Sequence, residues 1–310
     1  MNNFAKYTIL KLSGAFPLNG LINGEYPPLI PLYHTVEKKQ PEYIVGYHVK
    51  NTKAFKKDLD LLLKHYKPAS LREIIAESNN NKKLFHLTFD DGLKSCSDTI
   101  APILREKGIP ATFFVNPDFV ERNDLFHRFI YEIARKKGLK PASKLKQYTN
   151  KKQLNAITLE QTDLRNSIEV NTAYMNMHDL MQLTHEGFTI GAHGMDHPEF
   201  YTISENEQYR QISESIAWID KHLGPSIKAF AFPFTDHGIR NSLLKRVYSE
   251  NLVDVTFGTA GLKYDCYPGH FQRIPMEKKQ YYSATRILKY EHLYFRIRKL
   301  FNKNVVKRDD

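Results

Sequence analysis

Two adjacent carboxylates, Asp90 and Asp91, stand where a short apolar run stops. Residues 84–89 read as a strand, and Asp90-Asp91-Gly92 opens the loop that follows it. Like charges this close do not both ionise cheaply, so one carboxylate must be protonated, paired with a cation or bound to a metal. Further along, Gly191-Ala192-His193-Gly194-Met195-Asp196-His197 places two imidazoles four residues apart after a second apolar run, residues 188–192. One Asp and two His make a facial metal site with positions open for water and substrate. Taken singly, each half has an ordinary reading: Asp90 caps the next helix, Asp91 faces solvent, and the histidines are loop residues. Because each half follows a strand, the two together favour the metal.

The elements that must position these residues alternate. Phe55, Leu59, Leu62 and Leu63 recur at helical spacing, and a short helix over 71–77 follows. Residues 95–107 predict a helix stopped by Gly108, and 110–115 a strand. Beyond the histidines come a helix over 203–223, a strand over 227–232, a helix over 239–251, a strand over 253–257 and a last strand over 270–275. Strand, helix, strand with short connections implies an α/β fold whose parallel sheet is closed or nearly closed by outer helices. Functional residues in such folds gather at the C-terminal strand ends. The alternation fails over 118–187, where helical stretches near 124–137 and 176–186 flank a Lys-rich connection. That helical insertion serves either as a lid or substrate wall, or as a peripheral excursion. The start of the sequence reads as irregular, before the apolar segment 28–34 that ends in His34. On its own His34 is an ordinary hydrogen-bonded histidine.

Thr88-Phe89-Asp90-Asp91-Gly92 resembles the first signature of the NodB-type polysaccharide deacetylases, carbohydrate esterase family four, and His193-Gly-Met-Asp-His197 resembles the second. The resemblance implies a distorted (β/α) barrel of the NodB-homology type and a metal-dependent de-N-acetylase acting on a polysaccharide, oligosaccharide or glycolipid. It makes Asp91, His193 and His197 the metal ligands, with zinc expected and cobalt, nickel, manganese or iron as alternatives, and Asp90 the general base. Leu32-Tyr33-His34 has the form of the family's last signature, normally near the C-terminus. It is similar to the circularly permuted members and makes His34 the catalytic acid. Phe230-Ala231-Phe232-Pro233-Phe234 keeps the aromatic and proline frame of the third signature without its arginine. The resemblance puts an oxyanion-binding N–H near Phe234, and Pro233, Phe234, Asp236, His237 and Arg273 are candidate substrate contacts. Asp236 and His237 have a second reading as the end of a turn. Arg273, in a run Arg273-Ile274-Pro275 similar to one in permuted relatives, either supplies the positive neighbour for Asp90 or forms a surface salt bridge. Two rival functions are a non-catalytic sugar-binding relative and a non-haem iron enzyme using the same two-His-one-carboxylate site.

At 310 residues, with 41% hydrophobic and 25% charged side chains, the sequence is that of an ordinary soluble globular protein and reads as a single domain over 1–310. Cys96 and Cys266 permit one bridge and no disulfide framework. No continuous apolar signal core and no window approaching the ~20 apolar residues of a membrane span are present, so a cytoplasmic location is expected. The net charge of +11 invites a nucleic-acid partner, but no RNA-module signature accompanies it and none is expected. Residues 283–310 form a basic amphipathic helix and tail, with Ile287, Tyr290, Tyr294, Ile297 and Phe301 on one face. That face suits packing on its own domain or a peripheral contact with the anionic inner face of a membrane.

Overall fold

The computed structural model describes residues 3–41, 44, 48–76, 83–122, 126, 129, 173–278 and 283–310. Eight strands form one sheet in which every pairing is parallel: β1 (Pro31–Tyr33), β2 (Leu87–Phe89), β3 (Ala111–Val115), β4 (Thr189–Ala192), β5 (Ala229–Ala231), β6 (Val255–Gly258), β7 (His270–Gln272) and β8 (Ile274–Pro275). The order across the sheet is β7-β6-β5-β4-β3-β2-β1-β8. Its two outermost strands are separated in sequence only by Arg273. That residue therefore links the two edges of a nearly closed ring, with its N–H on the Gly258 carbonyl at 3.1 Å while Ile274 N–H reaches Ile30 O at 2.8 Å. The expected final strand over 270–275 is thus two strands on opposite edges of a barrel-shaped sheet.

Alternate strand residues serve two cores, as side chains on a pleated strand must. Phe89, Phe113, Val115, Ile190 and Phe230 join a large cluster under the helices, which includes Phe55, Leu59 and Leu62 from α3 (Thr52–His65). Ile30, Phe114, Ala229, Ala231, Val255 and Phe257 form a smaller cluster that the strands enclose. Gly191 belongs to this inner side: a Cβ there would lie 2.5 Å from the Phe114 ring and 2.9 Å from Ala229 O. The strands are buried on both faces, which is why their sequences are continuous apolar runs without alternation.

The helices carry the signals that set their ends. Counting in chain order, α1 (Asn3–Ser13), α2 (Leu18–Leu21), α3, α4 (Leu71–Ala76), α5 (Ala101–Glu106) and α6 (Pro117–Arg122) precede the region only partly described. After it come α7 (Met177–His185), α8 (Glu205–Leu223), α9 (Asn241–Ser249) and α10 (Ala284–Leu300). Asn176 and Asp179 form a capping box at the start of α7. Ser204 caps α8, which Gly224 ends in the left-handed conformation at φ 53°.

Several expectations need correction. The irregular start contains α1, whose Ile9 and Leu10 are buried and which packs on α10. Residues 84–89 are two strands broken at His86; the first, Leu84–Phe85, pairs with Lys67–Pro68 outside the barrel. The helix over 95–107 begins with a π-helical turn, Cys96–Ile100. Cys96 is buried and Cys266 exposed, and both are free thiols. The apolar face of α10 is already covered, since Ile287, Tyr290 and Tyr294 are buried and the helix lies against α1, α2 and α3; Phe301 beyond it is exposed. No described helix is long and apolar enough to cross a membrane. The expected helix near 124–137 and the connection after it lie outside the described residues, apart from Phe126 and Phe129.

Candidate active site and metal centre

Parallel register decides which side chains meet at the mouth of the barrel. Leu32 pairs with Pro275 and Thr88, and Tyr33 with Phe89. One step further, His34 therefore falls between Asp90 and Glu277. On the other side Phe114 pairs with Gly191 and Val115 with Ala192, which carries Asp91 toward His193.

The ligand atoms converge in that mouth. His193 Nε2 lies 3.6 Å and His197 Nε2 3.1 Å from Asp91 Oδ1. Two ligands ~2.0–2.2 Å from one tetrahedral zinc ion would be separated by about 3.4 Å, a value these distances bracket. Asp91 Oδ1 is buried without a hydrogen-bond partner, despite its nearness to His197. Such a group is costly unless a cation completes it. His193 Nδ1 is held 2.8 Å from the Ala231 carbonyl, which makes it the N–H donor and leaves Nε2 with its lone pair toward the carboxylates. Burial also pushes the His193 pKa down to about 4, so the ring is neutral at neutral pH. Burial alone would raise the Asp91 pKa, but the surrounding imidazoles, His197 first, hold it well below the usual carboxylate range. A carboxylate oxygen buried without a partner and two imidazole nitrogens turned toward it suit a divalent metal.

The backbone spends conformational energy here. Asp91, His197 and Phe234 have φ of 71°, 59° and 57°, a region that non-glycine residues occupy at a cost of ~1–3 kcal/mol each. The second ligand loop is tied down by Asn116, whose Nδ2 donates to His193 O at 2.6 Å and Gly194 O at 3.0 Å. Gln211 on α8 holds it from the other side, accepting from Met195 N–H at 2.7 Å and donating to Asp196 at 2.9 Å.

The remaining candidates separate into partnered and peripheral. Arg273 is wholly buried, so the surface salt bridge expected as one reading is replaced by an internal one: Nη1 lies 2.5 Å from Asp90 Oδ1. Burial raises the Asp90 pKa; Arg273 and then His193 outweigh it, leaving the group below its ordinary value. His34 Nδ1 lies 2.6 Å from Glu277 Oε2, and the backbone N–H groups of His34 and Thr35 donate to the same carboxylate. Burial lowers the His34 pKa, but Glu277 and the paired aspartates together lift it to about 9. Phe234 stacks edge-on against His197 at 4.6 Å, and Pro233 is buried behind it. Asp236 is not turned toward a substrate; it is buried and accepts hydrogen bonds from Gln272 and Thr259 N–H. His237 is exposed, at the end of the turn.

Sequence reasoning missed Glu277, Asn116, Gln211 and Phe126. Glu277 had a signal, two residues past Arg273-Ile274-Pro275 on the strand beside Leu32-Tyr33-His34. Phe126 packs edge-on over His197 at 4.7 Å and 6.0 Å from Phe234, so the excursion after α6 contributes an aromatic wall to the candidate site.

The sequence matches the profile of the Polysaccharide deacetylase family over residues 77–251. No curated protein sequence matches. Among solved structures, the chain is similar to a Streptococcus pyogenes deacetylase, PplD, determined in complex with acetate (17% identity, 86% of this chain and 99% of that chain covered, TM-score 0.58). It is also similar to IcaB from Ammonifex degensii (16%, 86% and 97%, 0.57) and to a polysaccharide deacetylase from Bacillus cereus (14%, 86% and 69%, 0.56). At these identities the likeness establishes the barrel fold.

Proposed function

The chain belongs to the polysaccharide deacetylase family, and from that premise we propose that it is a metal-dependent hydrolase removing an N-acetyl group from an amino sugar in a glycan or glycolipid. One observation carries the reading. Asp91, His193 and His197 bring ligand atoms within 4.8 Å of one another beside Asp90, which a buried arginine holds, and His34, which a buried glutamate holds.

A bound divalent cation, with zinc preferred, would lower the pKa of its water toward neutrality and polarise the amide carbonyl. Asp91, His193 and His197 would hold it. Asp90, kept ionised by Arg273, is placed to take the proton from the attacking water. A proton is then needed at the departing sugar nitrogen, because an amide anion is too basic to leave. His34, charged at neutral pH through Glu277, can supply it. The balance is one amide and one water giving acetate and a sugar amine. Base and acid need opposite protonation states at one pH, and their two buried partners, one cationic and one anionic, support that arrangement. A backbone N–H near Phe234 is our candidate for the second oxyanion contact.

The test is acetate release from N-acetylated glycans and glycolipids by metal-loaded protein. Asp90→Asn should keep bound metal and lose turnover by about 10²–10⁴-fold, the usual contribution of a general base. Alanine at Asp91, His193 or His197 should lower metal content. Full activity of Asp90→Asn would overturn the assignment; metal-dependent oxygen uptake without acetate would favour an iron enzyme.

A further inference from the structure

Behind the loop that carries Phe234 lies a second cluster able to hold a cation. Ligand atoms of Asp236, Asp265 and His270 lie within 4.8 Å of one another. Here the cation is a side chain. Arg308, in the segment after α10, reaches in with its own side chain only 2% exposed, placing Nη2 2.5 Å from Asp236 Oδ2 and 2.7 Å from Asp265 Oδ2. Its Nε donates to Asp265 Oδ1 at 3.0 Å, and Nη1 to the carbonyls of Asp236 and Ile239 at 3.2 and 3.3 Å. The segment is docked along its length. Val305–Val306 pairs in parallel with Tyr264–Asp265, and Asn241 N–H reaches Asp309 O at 2.9 Å.

Two routes lead from this cluster to the reacting groups. The first is the loop itself. Asp236 is two residues from Phe234, whose ring rests on His197, and Thr259, whose N–H donates to Asp236, also donates its hydroxyl to Phe234 O at 3.2 Å. The second runs through Gly258. A Cβ there would sit 2.3 Å from the Asp236 carboxylate, so the two are in contact. The Gly258 carbonyl accepts from both the backbone N–H and Nε of Arg273 at 3.1 Å, and Arg273 holds Asp90. Without a guanidinium, two buried carboxylates would face each other with only neutral donors and His270 between them, chiefly Gln272 Nε2, which reaches Asp236 at 2.7 Å and Asp265 at 2.9 Å, and like charges in a low-dielectric site drive each other apart.

Resting on the hydrolase reading above, we propose that Arg308 is a positioning residue for the reaction. Its guanidinium clamps Asp236 to Asp265, which keeps Phe234 on the metal ligand His197 and Gly258 under Arg273. Arg308 touches neither substrate nor ligands, so its loss should show in turnover rather than in metal content.

The experiment compares wild type, Arg308→Gln, Arg308→Lys and the double variant Asp265→Asn/Arg308→Gln, which removes the charge imbalance so that the barrel folds without the clamp. Expected for Arg308→Gln is bound zinc at wild-type stoichiometry and kcat lower by about 10²-fold, the scale of a misplacement near 1 Å, with KM little changed. Arg308→Lys should recover part of the rate. The double variant should recover thermal stability and stay slow, which separates positioning from folding. Independently of activity, amide hydrogen exchange at Thr235, His237 and Thr259 should rise in Arg308→Gln, while that of His193, bonded to Val115 O in the sheet, should not. Wild-type kcat and unchanged exchange in Arg308→Gln would overturn the clamp while leaving the hydrolase reading intact. If metal-loaded wild type releases no acetate, that reading falls, and the exchange pattern alone decides whether the clamp exists.

Discussion

At the scale of single residues, the candidate site is a set of groups whose charge state is set by their buried partners. His34 owes its pKa of about 9 to Glu277 and, behind it, to Asp91 and Asp90. A metal at Asp91 offsets the push from the aspartates, so the alkaline limb of kcat/KM is expected at or below about pH 9. Glu277→Gln should move that limb to lower pH and reduce the rate at neutrality, as a pH–rate profile on metal-loaded protein would record; an unmoved limb would remove His34 from the acid role. The same shift has a stability consequence. Because the folded pKa lies above the unfolded value of 6.5, the His34–Glu277 pair stabilises the fold fully below about pH 6.5, and the contribution disappears as pH rises through about 9. Arg273 and Asp90 form the other pair, both buried and 2.5 Å apart. Arg273→Met leaves a buried carboxylate without its cation and should cost about 3–5 kcal/mol in denaturant unfolding. Adding Asp90→Asn to that variant should restore much of the loss.

At the scale of elements, the ligand loop between β4 and α8 has its shape imposed from outside, by Asn116 after β3 and Gln211 on α8. Asn116→Ala would leave the carbonyls of His193 and Gly194 without that donor, a loss of about 1–3 kcal/mol. Metal affinity in a titration should fall roughly 10–100-fold, as for other groups that orient ligands, with the ligands themselves untouched. Elements also explain what the sequence could disclose. The helices that became α3, α7, α8 and α9 were legible within a few residues, because one apolar stripe against a polar face survives in local spacing. The α1 helix was hidden: its buried Ile9 and Leu10 sit among Tyr7, Lys11 and exposed Leu12, which blur the stripe. His86 reads as strand interior because both flanks are apolar, and only the pairing of Leu84–Phe85 with Lys67–Pro68 shows the break. The ligand motifs were legible because each is contiguous. Their partners were not, since Arg273 meets Asp90 across 183 positions and Glu277 meets His34 across 243, and register at that range is a property of the nearly closed sheet.

At the scale of the whole molecule, the barrel and the candidate metal site depend on each other. The ring runs from β1 near the start of the sequence to β8 near residue 275, and the site draws one ligand from the loop after β2 and two from the loop after β4. None of these carboxylates and imidazoles is gathered in an unfolded chain, so metal binding energy becomes folding energy. With free metal at a hundred times its Kd the expected gain is about 2.7 kcal/mol. With an unfolding entropy of about 2.1 cal/mol/K per residue, each kcal/mol moves the Tm of a 310-residue chain by roughly 1.5 °C, so stripping the metal with a chelator should lower Tm by roughly 4 °C, and returning zinc should restore it. The variants sharpen the test, because the effect belongs to the ligands and not to the base beside them. Asp91→Asn should melt at one temperature with or without zinc, whereas Asp90→Asn should keep the full difference while lacking turnover. Equal melting of chelated and zinc-loaded wild type would mean that Asp91, His193 and His197 meet for some purpose other than holding a cation.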